Sequence, residues 1–195
     1  FGWCWWQGLR PVRRQWLASF VLAVLFFLIG HGTLHWAQQT LPSGMAAFLI
    51  ATEPIFVAIM VAVTQRSRIT PALLLGLLLG LFGVGLIIGA EVRTGTSDLL
   101  RSVAVLIGAA SWSIGLIYSR SGKLHPDPRM SAAMSLLAGS VLLLLAGMIT
   151  GEGAELHPSV VSQKSFLALV YLAVVGSLVA YSAYFWLLSR FPPTL

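Results

Sequence analysis

The sequence predicts an all-α integral membrane protein, a bundle of six complete transmembrane spans with part of another span before them. Of the 195 residues, 57% are hydrophobic and only 9% are charged, whereas a soluble domain carries about 25% charged residues. The hydrophobic residues are grouped in runs of about 20, the length at which a helix crosses the hydrocarbon core of a bilayer. Because lipid offers the backbone no hydrogen-bond partners, such runs must be helical.

The complete spans are separated by short segments that contain polar or helix-breaking residues. The hydrophobic run of residues 1–6 is expected to be the end of a span whose beginning is absent, and the chain is expected to be a fragment cut at both ends. The six predicted spans are residues 16–37, 42–63, 72–90, 99–118, 130–149 and 165–188.

Lysine and arginine are distributed unequally between alternate loops, which predicts the orientation of the chain. The loops that contain Arg13, Arg66, Lys123 and Arg190 hold nine of the 12 basic residues, and the loops on the opposite side hold three. Because basic loops remain in the cytoplasm, we expect the first group of loops to be cytoplasmic in a multi-pass protein of the cell membrane. The net charge of +6 therefore indicates loop charge that sets topology, and it does not predict nucleic-acid binding.

The first and last complete spans resemble each other at an offset of 150 residues. Over residues 17–42 this offset gives eight identities, among which Trp36 matches Trp186 and Pro42 matches Pro192. The two spans are five crossings apart, so they are expected to run in opposite directions. Antiparallel repeats are typical of secondary transporters, although two similar apolar helices without common origin remain an alternative.

Several segments, in their order and spacing, resemble the EamA-type drug/metabolite transporters. The resemblance covers nearly the whole chain, with one departure: members often have a Gly-Glu-Arg-like turn after the fourth helix, where this chain has TQRSR at residues 64–68. The segments that carry the resemblance are residues 30–37 (GHGTLHWA), 41–47 (LPSGMAA), 51–56 (ATEPIF), the glycine-rich stretch 76–89, 110–113 (ASWS) and 171–177 (YLAVVGS).

The resemblance implies a fold of two five-helix repeats of inverted topology in a single transmembrane domain. Residues 1–90 would then end the first repeat, with part of helix 2 and helices 3–5, and residues 91–195 would begin the second repeat with helices 6–8. It also implies a secondary transporter that moves a small organic metabolite or a drug-like solute by alternating access. Proton-coupled efflux fits this reading, and no cofactor is expected.

Glu53 is the only acidic residue inside a predicted span, and Pro54 follows it directly. A charged side chain at the bilayer centre costs about 2.5–3.5 kcal/mol or more, so Glu53 should face a wet cavity, find a partner or be protonated. Pro54 removes a backbone donor and is expected to kink the helix beside the carboxyl group. We expect Glu53 to bind substrate or a proton, with a protonated packing residue as the alternative.

His31 and His35 are four residues apart and share one helix face, and His31 lies deeper in its span. Histidine relays protons and binds metals near neutral pH, but the other two histidines lie in loops on opposite sides, so no metal site is predicted. We expect His31 to line the substrate path and His35 to lie near the outer interface.

Aromatic side chains with one polar edge suit organic substrates in a central cavity. Trp112 lies between two serines within a span, and Tyr181 and Tyr184 are three residues apart on one face; packing and interface roles remain open for each. The glycines Gly76, Gly80 and Gly83 are predicted to allow close helix packing.

Two other classes of function remain alternatives to transport of a small-molecule solute across the lipid bilayer. An intramembrane enzyme requires a nucleophile and base, or a metal cluster, within the membrane, and the sequence contains no recognisable triad, so no enzymatic activity is expected. A channel or a non-transporting membrane subunit is the second alternative. The sequence lacks a G-x-x-x-x-G-K-[ST] phosphate-binding loop, so ATP is not expected to drive the process within this chain.

Overall fold

Long apolar helices joined by short polar turns make up the computed structural model, which describes Cys4, Gly8 and residues 10–65, 70–88, 96–152 and 161–190. No β-strand occurs among these residues, so the predicted all-helical class is confirmed. Two of the helical segments, Val24–His31 (π1) and Leu172–Val179 (π2), have the wider π-helical turn. The elements in chain order are α1 (Arg13–Ala23), π1 (Val24–His31), α2 (Gly32–Gln38), α3 (Ser43–Ile50), α4 (Glu53–Gln65), α5 (Pro71–Ile88), α6 (Thr96–Ser119), α7 (Pro128–Thr150), α8 (Gln163–Tyr171), π2 (Leu172–Val179) and α9 (Ala180–Arg190).

Five helical stretches of the described chain are long and apolar enough to cross a membrane, and they coincide with five of the six predicted spans. They are Arg13–Gln38, Ser43–Thr64, Leu99–Ser119, Pro128–Thr150 and Gln163–Leu187. The remaining predicted span, residues 72–90, falls on α5, whose apolar stretch is described as the shorter segment Pro71–Gly83. A membrane crossing by α5 therefore stays a prediction, and the partial span at residues 1–6 lies mostly outside the described residues.

Contacts between the helices divide the chain into two compact units. The middle unit is Val24–Ser119, and the terminal unit combines Phe1–Ala23 with Arg120–Pro193. The first span contributes its first half to the terminal unit and its second half to the middle unit. This division is one of contacts and differs from the predicted repeat boundary near residue 90, which stays a prediction.

In the middle unit, α6 is the helix around which the others pack, because it contacts π1, α2, α3 and α4. Its Val105 packs in an apolar core formed with the end of the first span and the beginning of the second. That core contains Ala37, Leu41, Ala46, Leu49 and Val105.

In the terminal unit, α7 packs against both α1 and α9. Small residues are buried on the α1 side of this contact, where Ala18, Ser19 and Ala23 are at most 2% exposed. Met130 and Met134 of α7 are fully buried beside Cys4 and Trp16. Short side chains allow helices to approach closely in a membrane, so this packing fits a lipid-embedded unit.

Helix α7 begins at a charged cap outside the apolar span. The carboxylate of Asp127 accepts hydrogen bonds from the backbone N–H of Arg129 at 2.8 Å and of Met130 at 3.4 Å, and it forms an ion pair with the Arg129 guanidinium at 3.0 Å. The hydrogen bond from the Arg129 side chain is the main reason why the pKa of Asp127 lies below its ordinary value. Pro128 at the first helical position completes this helix start.

We expect Asp127→Ala to destabilise the protein by about 0.5–2 kcal/mol, because the N-terminal amides of α7 lose their cap. Asp127→Asn keeps an acceptor for those amides and should lose less. Because folding lowers the Asp127 pKa, the ionised form stabilises the native state above about pH 4, and this contribution disappears as the pH falls through the folded pKa. Thermal unfolding in detergent at neutral and at acidic pH measures both effects. Equal melting temperatures for wild type and Asp127→Ala at neutral pH would contradict the capping role.

Candidate functional site

The second span is interrupted immediately before Glu53. Helix α3 ends at Ile50, Ala51 and Thr52 form a turn, and α4 begins at Glu53. The Thr52 hydroxyl donates to the Leu49 carbonyl at 2.6 Å, so a side chain provides a hydrogen bond to this backbone carbonyl at the break. Pro54 has no N–H with which to continue the helical hydrogen bonds. A two-residue turn therefore lies directly before the carboxyl group, and the kink predicted at Pro54 stays a prediction.

A cavity of about 230 Å³ adjoins this break in the middle unit. It brings three of the predicted site residues together, because Glu53, His31 and Trp112 all line it. Glu53 is half-buried there. The remaining lining residues are glycine or apolar: Gly30, Leu34, Ile50, Val105, Gly108 and Ala109.

Trp112 is held in place by the irregular turn of the neighbouring span. Its indole N–H donates to the carbonyl of Phe26 at 3.1 Å, and the adjacent Ser111 hydroxyl donates to the carbonyl of Leu25 at 2.9 Å. The indole also stacks on the Phe26 ring with centroids 4.6 Å apart. The indole N–H, which the sequence suggested as a contact for substrate, thus binds the backbone of π1. Trp112 lines the cavity with its ring.

His31 is the last residue of π1 and is surrounded by aromatic rings. Its imidazole meets the edge of Trp112 with centroids 5.3 Å apart, and it lies 5.6 Å from the Phe27 ring. His35 stacks on it one turn later at 5.9 Å and is exposed. The cavity therefore contains two titratable side chains from different spans, His31 and Glu53.

The model of the EamA-like transporter family matches residues 1–89 and 100–195, which is nearly the whole chain. The chain belongs to this family. The resemblance found in the sequence is thereby confirmed, and with the five apolar helices it identifies a multi-pass membrane protein.

Several bacterial transporters are similar to this EamA-family chain over most of its length. The uncharacterized inner membrane transporter YedA of Escherichia coli (strain K12) is 32% identical over 188 residues, covering 95% of this chain and 58% of YedA. The uncharacterized transporter YoaV of Bacillus subtilis (strain 168) is 27% identical, covering 92% of this chain and 61% of YoaV. A probable amino-acid metabolite efflux pump of Escherichia coli (strain K12) is 28% identical, covering 94% and 68%. The chain thus spans somewhat more than half the length of its relatives. No solved structure matches it.

Close helix approach in this EamA-family chain occurs at glycines that the sequence analysis did not select. A Cβ added at Gly108 of α6 would lie 2.5 Å from Thr33 Oγ1 and 3.0 Å from the backbone oxygen of Gly30. A Cβ at Gly30 would collide with Trp112, and one at Gly115 would collide with Phe26. Gly108 and Gly115 are seven residues apart, which places them on one face of α6; that spacing was the available signal.

The glycines of α5 have a different environment in the described chain. A Cβ added at Gly76, Gly80 or Gly83 would meet no atom within 4 Å. The packing role predicted for them therefore has no counterpart among the described contacts and stays a prediction.

Tyr181 and Tyr184 lie on α9, in the terminal unit. Their rings meet edge-on with centroids 6.3 Å apart, and Tyr184 also meets the edge of Phe185 at 5.7 Å. They share a face, as the spacing predicted. Their part in a substrate site stays a prediction.

Arg101 binds the end of the first span in the middle unit. Its guanidinium donates to the carbonyl of Trp36 at 2.9 Å and lies 4.8 Å above the centre of the Trp36 ring. A cation at the carbonyl end of a helix is favourable. Arg101 therefore links α6 to the end of the first span.

We expect Gly108→Ala to destabilise the protein by about 1–3 kcal/mol, because the new methyl group would press against the backbone oxygen of Gly30 as well as the tip of Thr33. Gly80→Ala is the matched control: the space around it is open, and alanine favours a helix by up to about 1 kcal/mol over glycine. Thermal unfolding of both variants in the same detergent gives the comparison. If Gly108→Ala and Gly80→Ala have the same melting temperature, the close approach of α6 and π1 at Gly108 is contradicted.

Proposed function

We propose that this chain forms part of a secondary transporter that moves a small organic solute across the cell membrane by alternating access, with Glu53 as the group that binds solute or proton. The observation that carries the proposal is the cavity at the break of the second span, where Glu53 and His31 meet apolar walls. Transporters place substrate sites at interrupted helices because the irregular backbone there lines a cavity instead of facing lipid.

The relatives support transport over the other classes of function considered. YedA and YoaV are named transporters, and another relative is named a probable amino-acid metabolite efflux pump. That name supports export of a metabolite as the direction for this protein. An intramembrane enzyme or a non-transporting subunit has no comparable support.

The two π-helical segments support an inverted repeat, an arrangement that many alternating-access transporters contain. π1 begins at residue 24 and π2 at residue 172, which are 148 positions apart, and both are eight residues long. The sequence offset that aligns the same two spans is 150. The same irregularity thus recurs at nearly the same place in both spans. With α5 counted as a crossing, the two spans run in opposite directions.

Proton coupling is the finer part of the proposal. A carboxyl group in a cavity within the bilayer can exchange a proton for a substrate when the cavity opens to each side in turn. The other titratable or charged groups near it in the described middle unit are His31 on π1, His35 stacked on His31, and Arg101, which is held at Trp36. Glu53 is the acid among them that lines the cavity.

We expect Glu53→Gln to lower solute transport at least about tenfold, equivalent to about 1.4 kcal/mol, and to flatten its dependence on pH, because the amide cannot bind or release a proton. Glu53→Asp, which keeps the carboxyl group, should retain a pH-dependent rate. Uptake or efflux in cells or proteoliposomes between about pH 4 and 8 measures this, a range that includes the ordinary pKa values of carboxyl and imidazole side chains. An unchanged rate and pH profile in Glu53→Gln would remove Glu53 from the mechanism.

The proposed orientation follows from the nine-to-three distribution of basic residues. In a Cys4→Ser background, we expect Lys164→Cys to react with a membrane-impermeant maleimide in intact cells, and Lys123→Cys to react only after the cells are opened. The positive-inside rule gives the physical reason. The reverse labelling pattern would show that the loops with Arg13 and Lys123 face outward.

A further inference from the structure

We infer that the cavity of the middle unit binds a small organic amine as its cation, with a hydrocarbon body and without a carboxylate. This inference rests on the proposed function, and it narrows the substrate from any small organic solute to an organic cation. The inference depends on three properties of the described lining: its charge, its walls and its hydrogen-bond donors.

The lining contains an acid and no strong base. Glu53 is the only Asp, Glu, Lys or Arg among the lining residues. Arg101, the only Lys or Arg among the described residues of the middle unit, is occupied at the Trp36 carbonyl and ring. A buried charge is tolerated when an opposite charge pairs with it. An ammonium group would provide that pair for Glu53.

The walls suit a short hydrocarbon body. Leu34, Ile50 and Val105 line the cavity, and Gly30 and Gly108 add no side chain to its wall. The volume of about 230 Å³ is smaller than the roughly 300–1,000 Å³ of sites for drug-sized ligands. The ligand is therefore a small molecule whose apolar part packs against aliphatic side chains.

The donors that a carboxylate would need are largely committed elsewhere. The Trp112 N–H donates to the Phe26 carbonyl at 3.1 Å, so the indole offers its ring, which attracts cations and not anions. Among the other lining side chains, His31 is the only one with a nitrogen donor. A carboxylate would also lie beside Glu53, and like charges at close range repel. A zwitterionic amino acid is therefore disfavoured relative to the amine that lacks the carboxylate.

The test compares three ligands with one hydrocarbon skeleton on the wild-type protein in lipid nanodiscs. Isoamylamine carries the cation alone, leucine adds the carboxylate, and isoamyl alcohol carries no charge and controls for partition into lipid. By isothermal titration calorimetry we expect isoamylamine to bind at least about tenfold more tightly than either. Glu53→Gln should remove the preference for the amine, whereas Asp127→Asn, which removes a carboxylate at the α7 cap outside the cavity, should preserve it.

Each result decides the inference. Leucine binding as tightly as isoamylamine to wild type would overturn it, as would an amine preference that survives in Glu53→Gln. If Glu53→Gln does not fold, the ranking of the three ligands on wild type decides alone. If the amine is not preferred but solute flux is saturable, the inference fails and the proposed transport remains supported. If the amine binds but no flux is measured, the proposed transport is contradicted instead.

Discussion

Every backbone polar group that is freed inside the apolar part of this chain needs a hydrogen-bond partner, because lipid supplies none. In the π-helical turn of the first span, the carbonyls of Leu25 and Phe26 accept hydrogen bonds from the Ser111 hydroxyl and the Trp112 indole of α6. The neighbouring helix thus supplies donors to the irregular turn, and these bonds help to fix where α6 crosses the first span.

The glycines and the cavity follow from that crossing. The side chains of Ser111 and Trp112 reach the π1 carbonyls because Gly30 and Gly108 let the two backbones come close, with the Gly30 oxygen 3.0 Å from where a Gly108 Cβ would lie. The break before Glu53 also lies against α6, where Ser113 Oγ is 3.4 Å from the Glu53 carbonyl. The cavity therefore lies where the end of π1, the break before Glu53 and α6 meet.

Local signals in the sequence predicted much of this site, and the pairing between helices lay beyond them. Glu53 followed by Pro54 is a local pattern that predicts a polar group beside a helix irregularity, and the structure has a turn at Ala51 and Thr52 directly before it. His31 and Trp112 were selected one by one for their chemistry; that they share a cavity depends on residues about 80 positions apart, which no local pattern links. The same limit applies to the crowding at Gly30, which the sequence did not predict. Whether a glycine is needed depends on the residue that faces it, and Gly30 faces Trp112.

The two π-helical segments differ in how they are supported, and this difference bears on motion. In the middle unit π1 contains three buried residues, Phe26, Phe27 and Gly30, and receives hydrogen bonds from α6. In the terminal unit π2 contains no buried residue among those described. A wide helical turn that a neighbour braces is held in one geometry, whereas an unbraced one bends at lower cost, since fewer packed contacts oppose the change. Of the two wide turns, π2 is therefore the one whose geometry costs less to change.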